Sequence, residues 1–96
     1  MTIQNIRNII NKNRKFLKEK YKIKSMSIFG SIARDEGSTN SDVDVLVEFN
    51  ESPDMFEFIK LEQFLENLLG AKVDLVTKKA LKPLIKDKIL KEAVYL

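Results

Sequence analysis

The stretch "FGSIARDEGSTNSDVDVLVEF", residues 29–49, sets two carboxylates, Asp42 and Asp44, at alternate positions of a run that otherwise reads as a buried strand. Side chains two apart on a strand leave the same face. Two carboxylates side by side repel each other and resist desolvation unless a cation lies between them or one holds a proton. The chain contains no Cys and no His. That excludes disulfides, thiolate or imidazole metal sites and imidazole base catalysis. Ligation by oxygen alone points to Mg²⁺ or Mn²⁺. A third carboxylate, Asp74, lies in "KVDLV" among apolar residues. A strand there, paired beside 42–49 at about 4.8 Å, brings Asp74 within reach of the same ions. Three carboxylates on adjacent strands can hold two metals about 3.5–4 Å apart, the arrangement used for in-line phosphoryl displacement.

Gly30 and Ser31 supply the other half of such a site. A glycine at a strand end permits close approach of a ligand, and a helical turn after it would aim N–H groups at phosphate. Ser31 adds a hydroxyl. Arg34, one turn on, is expected to reach a phosphate or to pair with an acid. A Gly-Ser pair alone is most often an ordinary turn, and a D-x-D alone is most often a solvated loop edge. The combination of the two with Asp74 is what points to chemistry.

The elements that must position these residues follow from periodicity. Ile3, Ile6, Ile10, Phe16, Leu17 and Tyr21 recur at helical spacing, which predicts one amphipathic helix from Ile3 to about Lys20. "KSMSIFG" reads as a strand ending at Gly30, and a helical turn is expected from Ile32 to Glu36 before a loop. In "DVDVLVEF", Val43, Val45, Val47 and Phe49 face one side and Asp42, Asp44, Leu46 and Glu48 the other. Ser52 suits an N-cap and Pro53 the first position of a long helix that stops at Gly70. Its apolar set, from Met55 to Leu69, is wider than one buried stripe requires. We expect most of it to pack under the sheet, with contact to another chain as the alternative. "AKVDLVT" is a third strand. Pro83 opens a last helix, with Leu84, Ile85, Ile89 and Leu90 expected inward, and "AVYL" closes the chain. The fold class is therefore α/β (α+β): a small three-stranded mixed sheet with helices packed against it, in a single domain of residues 1–96.

Charge is segregated along the chain. Residues 1–24 carry eight Lys/Arg against Glu19, residues 25–76 three against eleven acids, and residues 77–96 six lysines against Asp87 and Glu92. A basic frame around an acidic centre fits a polyanion held beside cation-binding carboxylates. No aromatic interleaving supports direct nucleic-acid binding. No apolar run approaches about 18 residues, and the first residues lack a cleavage signal, so a cytoplasmic chain without membrane contact is expected.

"GSIARDEGSTNSDVDVLVEF" resembles the G-S-x(10)-D-x-D signature of the DNA polymerase β-like nucleotidyltransferase superfamily. In particular it is similar to the minimal nucleotidyltransferases, whose fuller pattern is G-S-x-A-R-G-x(5)-S-D-x-D-[LV]-x-V. Gly30, Ser31, Ala33, Arg34, Ser41, Asp42, Asp44 and Val47 fall on that pattern, and Asp74 matches the third carboxylate. The resemblance implies a nucleotidyltransferase fold and a Mg- or Mn-dependent enzyme with ATP as substrate. It implies that Asp42, Asp44 and Asp74 are catalytic and metal-binding, and that Gly30, Ser31, Arg34 and Ser41 bind the nucleotide. It also implies a partner, a HEPN-type toxin, adenylylated on a tyrosine and so neutralised by this antitoxin. The apolar face of 55–69 and the basic first helix are the surfaces expected to meet it, with a homo- or hetero-oligomer open. Transfer to a small molecule, and neutralisation by contact alone, are the alternatives. One departure stands out: Asp35 occupies the place of the pattern's glycine, where a carboxylate would repel phosphate and a Cβ would resist positive φ. Gly37 is expected to take over that turn.

Overall fold

In the computed structural model, which describes residues 1–36 and 42–96, Thr2 starts the chain's first helix by accepting the Asn5 N–H on its hydroxyl. Helix α1 spans Ile3–Lys12 and α2 spans Arg14–Tyr21. The single helix expected over this stretch is therefore two. Asn13 breaks it: its side-chain amide donates to the Ile9 carbonyl at 2.9 Å, and its backbone leaves helical geometry at φ −115°. Asparagine competes for backbone partners in this way. Ile6, Ile10, Leu17 and Tyr21 are buried as the spacing predicts, whereas Phe16 lies half exposed against Phe64.

Strand β1 (Ile23–Phe29) leads into a four-residue helix α3 (Gly30–Ala33), and β2 (Val43–Phe49) follows. The helical turn thus starts at Gly30, two residues before its expected start, and Glu36 lies outside it. Helix α4 is Met55–Leu69, β3 is Val73–Thr77, and a 3₁₀ turn at Lys78–Ala80 precedes α5 (Pro83–Glu92) and β4 (Val94–Tyr95). The sheet has four strands in the order β3-β2-β1-β4, with β2–β3 parallel and the other pairs antiparallel. The expected three strands omitted β4, which pairs through only two residues, with Ser27 and Ile28. Tertiary contacts hold it there. Arg7 and Arg14 donate to the backbone carbonyls of Tyr95 and Leu96 at 2.8 and 2.6 Å. Two cations of the basic first segment are therefore used in holding the chain's end.

Val43, Val45 and Val47 are fully buried on one sheet face with Met26, Ile28, Val73 and Leu75, under α1, α2 and α4. Helix α4 begins two residues later than its sequence signals suggest. Asp54 is the N-cap, accepting the Glu57 N–H at 2.8 Å, and Ser52 and Pro53 precede the helix. A carboxylate both caps the turn and complements its dipole, so it wins over a serine. Gly70 closes the helix at φ +63°, as expected. Leu61, Leu65 and Leu69 enter the core, but Met55, Phe56 and Ile59 of the first two turns are exposed.

Helix α5 departs most from expectation. Leu84 is 96% exposed, Ile85 and Leu90 are also exposed, and no residue of the helix is fully buried. The core face of the sheet is already filled. Helix α5 instead meets the opposite face, where Leu90 and Ala93 border a small cavity with Ser25, Ser27 and Leu46. That face is the one from which Asp44 projects. No helix among the described residues is long and apolar enough to cross a membrane.

Candidate active site

The strand register does most of the assembly. Phe29, the last residue of β1, pairs with Asp44 of β2, and Asp44 in turn pairs with Asp74 of β3. Because β2 and β3 are parallel and in step, two carboxylates stand on the same face of neighbouring strands. Asp42 lies exposed just before β2. The valines that alternate with these acids are what fix the register, since a slip of one residue would turn every valine to the other face.

Gly30 follows Phe29 directly and takes φ +76°. A Cβ built on it would collide with the Asp44 carboxylate, 2.9 Å from Cγ. Glycine is required here twice over, for its positive φ and for the close approach of the turn to the acid. The Ser31 carbonyl accepts the Glu36 N–H at 2.8 Å, and the Gly30 carbonyl accepts that of Arg34 at 3.1 Å. These bonds curl the turn beside the carboxylates.

The Asp44 carboxyl is pushed above the ordinary aspartate range, first by desolvation, then by the charges of Asp74 and Asp42. Glu92 adds to the push and Arg34 opposes it. Asp44 therefore feels the charge of both other aspartates. Among the described residues no group of three or more acidic side chains lies close enough to hold a metal ion, so the three aspartates expected to share one are not gathered as a ready-made site. Their chemistry nevertheless fits a divalent cation: oxygen donors only, with an excess of negative charge that raises a carboxyl pKa. A hard cation is the group that would relieve this repulsion.

Arg34 pairs with acids, the second of its two expected roles. Its guanidinium meets Glu36 at 3.0 Å and Glu92 at 3.2 Å. Ser41 and Gly37 lie outside the described residues. Asp35 itself takes the left-handed conformation, at φ +58°. Its side chain borders a cleft with Met1, Thr2, Gln4, Arg7 and Ile32, beside the start of α1. It is not among the charges acting on Asp44. Asp35→Gly is therefore expected to change nucleotide transfer by less than about twofold, since glycine accepts the same φ and no site charge is altered. Steady-state transfer assays on the variant check this.

Glu92 is the residue that spacing did not reveal. It stands 62 residues from Gly30, yet accepts its N–H at 3.1 Å. One cue existed in the sequence: an acid in the last turn of a helix opposes the dipole and implies a partner elsewhere. A cavity of about 550 Å³ lies away from all of these groups. It sits at the far end of β2 and β3, between Val47, Phe49, Phe58, Lys78 and Lys86.

The profile of the family described as nucleotidyltransferase domain matches residues 10–96. A Methanocaldococcus jannaschii protein, provisionally named a protein adenylyltransferase, is 54% identical over 95 residues, covering 98% of this chain and 97% of its own. Protein adenylyltransferase MntA of Thermococcus cleftensis is 43% identical over 95 residues, covering 99% and 96%. Among solved structures, one provisionally described as a minimal nucleotidyltransferase superposes with a TM-score of 0.83 at 32% identity, covering 100% of this chain and 97% of that one. A toxin–antitoxin crystal structure with AMP-PNP gives a TM-score of 0.74 at 26% identity, covering 88% and 69%. A small mixed sheet with aspartates in step beside a glycine turn, on a fold that superposes over the whole chain with a structure provisionally described as a minimal nucleotidyltransferase, defines a nucleotidyltransferase. The chain belongs to the nucleotidyltransferase domain family, and within it to the minimal group that resembles the antitoxins of toxin–antitoxin pairs.

Proposed function

We propose that this chain transfers AMP from ATP to a tyrosine hydroxyl of a HEPN-type toxin and so serves as its antitoxin. Residues 1–96 act as one cytoplasmic nucleotidyltransferase domain in this reading. The observation that carries it is the pairing of Asp44 with Asp74 on adjacent parallel strands, against the Gly30 turn. The names of the relatives support the acceptor class: one is a protein adenylyltransferase, and a structural neighbour is a toxin–antitoxin complex with an ATP analogue.

Asp42, Asp44 and Asp74 are the residues that would hold Mg²⁺ or Mn²⁺. The cation, when bound, supplies charge neutralisation for the triphosphate and the leaving pyrophosphate. The protein's own groups do the rest. Gly30, Ser31, Arg34 and Ser41 bind and orient the phosphates so that the α-phosphorus faces the acceptor. The acceptor oxygen forms a bond to that phosphorus while the bond to pyrophosphate breaks. The hydroxyl proton passes to an Asp74 carboxylate oxygen, which acts as general base. Products are the tyrosyl–AMP ester and pyrophosphate, so atoms and charge balance.

The test uses the full chain, Mg²⁺ and a HEPN-type partner encoded beside it, with ATP labelled either at the α- or the γ-phosphate. The expected result is α-label on the partner's tyrosine, no γ-label, and one pyrophosphate released per AMP transferred. Tight association with the partner but no label on it would instead make the chain a contact inhibitor.

A further inference from the structure

Glu92 ends α5, where the helix dipole disfavours an acid. Its side chain is nonetheless only 19% exposed. Oε1 accepts the Gly30 N–H at 3.1 Å, and both carboxylate oxygens take the Arg34 guanidinium, at 3.3 and 3.2 Å. These two donors, a backbone N–H at the glycine turn and the guanidinium one turn on, are the ones assigned above to phosphate. The carboxylate is also a third negative charge, after Asp74 and Asp42, acting on Asp44. A backbone N–H makes one good hydrogen bond, so a phosphate oxygen and the Glu92 carboxylate exclude each other at Gly30.

We propose that Glu92 is an internal anion that occupies the phosphate-binding donors in the nucleotide-free protein, and that an entering triphosphate displaces it. The inference rests on the nucleotidyltransferase reading of this turn. Displacement frees the end of α5 from the Gly30 turn, so nucleotide entry and the position of α5 are linked. The release meets little resistance from packing, because α5 has no fully buried side chain. What holds Glu92 is charge-assisted hydrogen bonding, which a polyphosphate offers in greater number.

The test is calorimetric ATP binding in EDTA by the full chain, so that neither metal nor turnover contributes. Four proteins are compared: the natural chain, Glu92→Gln, Glu92→Ala, and Asp87→Asn, which removes a like charge from an exposed position of the same helix. Both Glu92 variants are expected to bind ATP about fivefold to tenfold more tightly, and Asp87→Asn to stay within about twofold. Amide hydrogen exchange over residues 89–93 is expected to speed up when ATP is added to the natural chain. Glu92→Gln keeps the side chain's size and an acceptor oxygen, so it remains informative if the alanine variant folds poorly. Unchanged or weaker binding by Glu92→Gln, or an equal gain from Asp87→Asn, would overturn the inference while leaving the nucleotide site standing. Absence of ATP binding by all four proteins, with and without Mg²⁺, would remove the nucleotide reading itself and this inference with it.

Discussion

Asp44→Asn is expected to lower AMP transfer by about a thousandfold or more while the fold survives. The carboxylate sits in the middle of the row, paired with Phe29 on one side and Asp74 on the other. It is the least exposed of the three acids, and burial pushes its carboxyl above the ordinary aspartate range. Removing a charge placed to hold a cation on the reacting phosphates costs several kcal/mol of transition-state stabilisation, hence the size of the effect. Stability should move the other way. Asparagine is isosteric and ends the repulsion from Asp74 and Asp42, so without metal the melting temperature should rise by about 3 °C, a figure kept small because the site is partly solvated. The pH dependence has a definite sign. A carboxyl whose folded pKa is raised binds protons more tightly in the native state. Its stabilising protonation is complete below the ordinary aspartate value and is lost as pH rises through the higher folded one. Metal-free natural protein should therefore gain stability on acidification through that window, and Asp44→Asn should lose this component. Thermal melts in EDTA across pH 3.5–7, estimated at about that span from ordinary carboxylate values, check both points.

Gly30→Ala should also damage activity, though by a smaller factor, and, unlike Asp44→Asn, should destabilise the fold. The added methyl meets backbone strain at φ +76° and overlaps the Asp44 carboxylate. The left-handed conformation alone costs a non-glycine residue about 1–2 kcal/mol, and displacing Asp44 adds to it. A total of about 2–3 kcal/mol would lower the melting temperature by about 10 °C or more for a domain of this size. Transfer should fall at least about a hundredfold, because a shift of about 1 Å at a positioning group is enough for that. Chemical denaturation and single-turnover assays on the same preparation separate the two losses. A variant with natural stability and natural rate would show that the turn does not press on the acid.

Much of the site was legible because its signals are local. The alternation of Val43, Val45 and Val47 with Asp42, Asp44 and Leu46 encodes both a strand and its faces, and the valines are buried as that pattern demands. Asp74, flanked by Val73 and Leu75, reads as part of a third strand, and the parallel register brings it to Asp44. What could not be read depends on tertiary choice. Asn13 looks the same to a pattern whether it lines a helix or ends one. Strand β4 is two residues long, below any periodicity. The apolar residues of α5 have helical spacing, but spacing does not say that α1, α2 and α4 have already filled the core. Asp35 takes φ +58° itself and borders the cleft beside the start of α1. Glu92 reaches the turn from 62 residues away through a fold that no local pattern specifies.

The central claim is that Asp42, Asp44 and Asp74 share a divalent cation beside the Gly30 turn. Paramagnetic broadening by Mn²⁺, read amide by amide in the presence of a non-hydrolysable ATP analogue, tests it most directly. Selective loss of signals from residues 29–31, 42–46 and 73–75, abolished by Asp44→Asn, is the predicted result. Broadening centred elsewhere, such as the lysine-lined cavity at the far end of β2 and β3, or broadening that persists in Asp44→Asn, would contradict it.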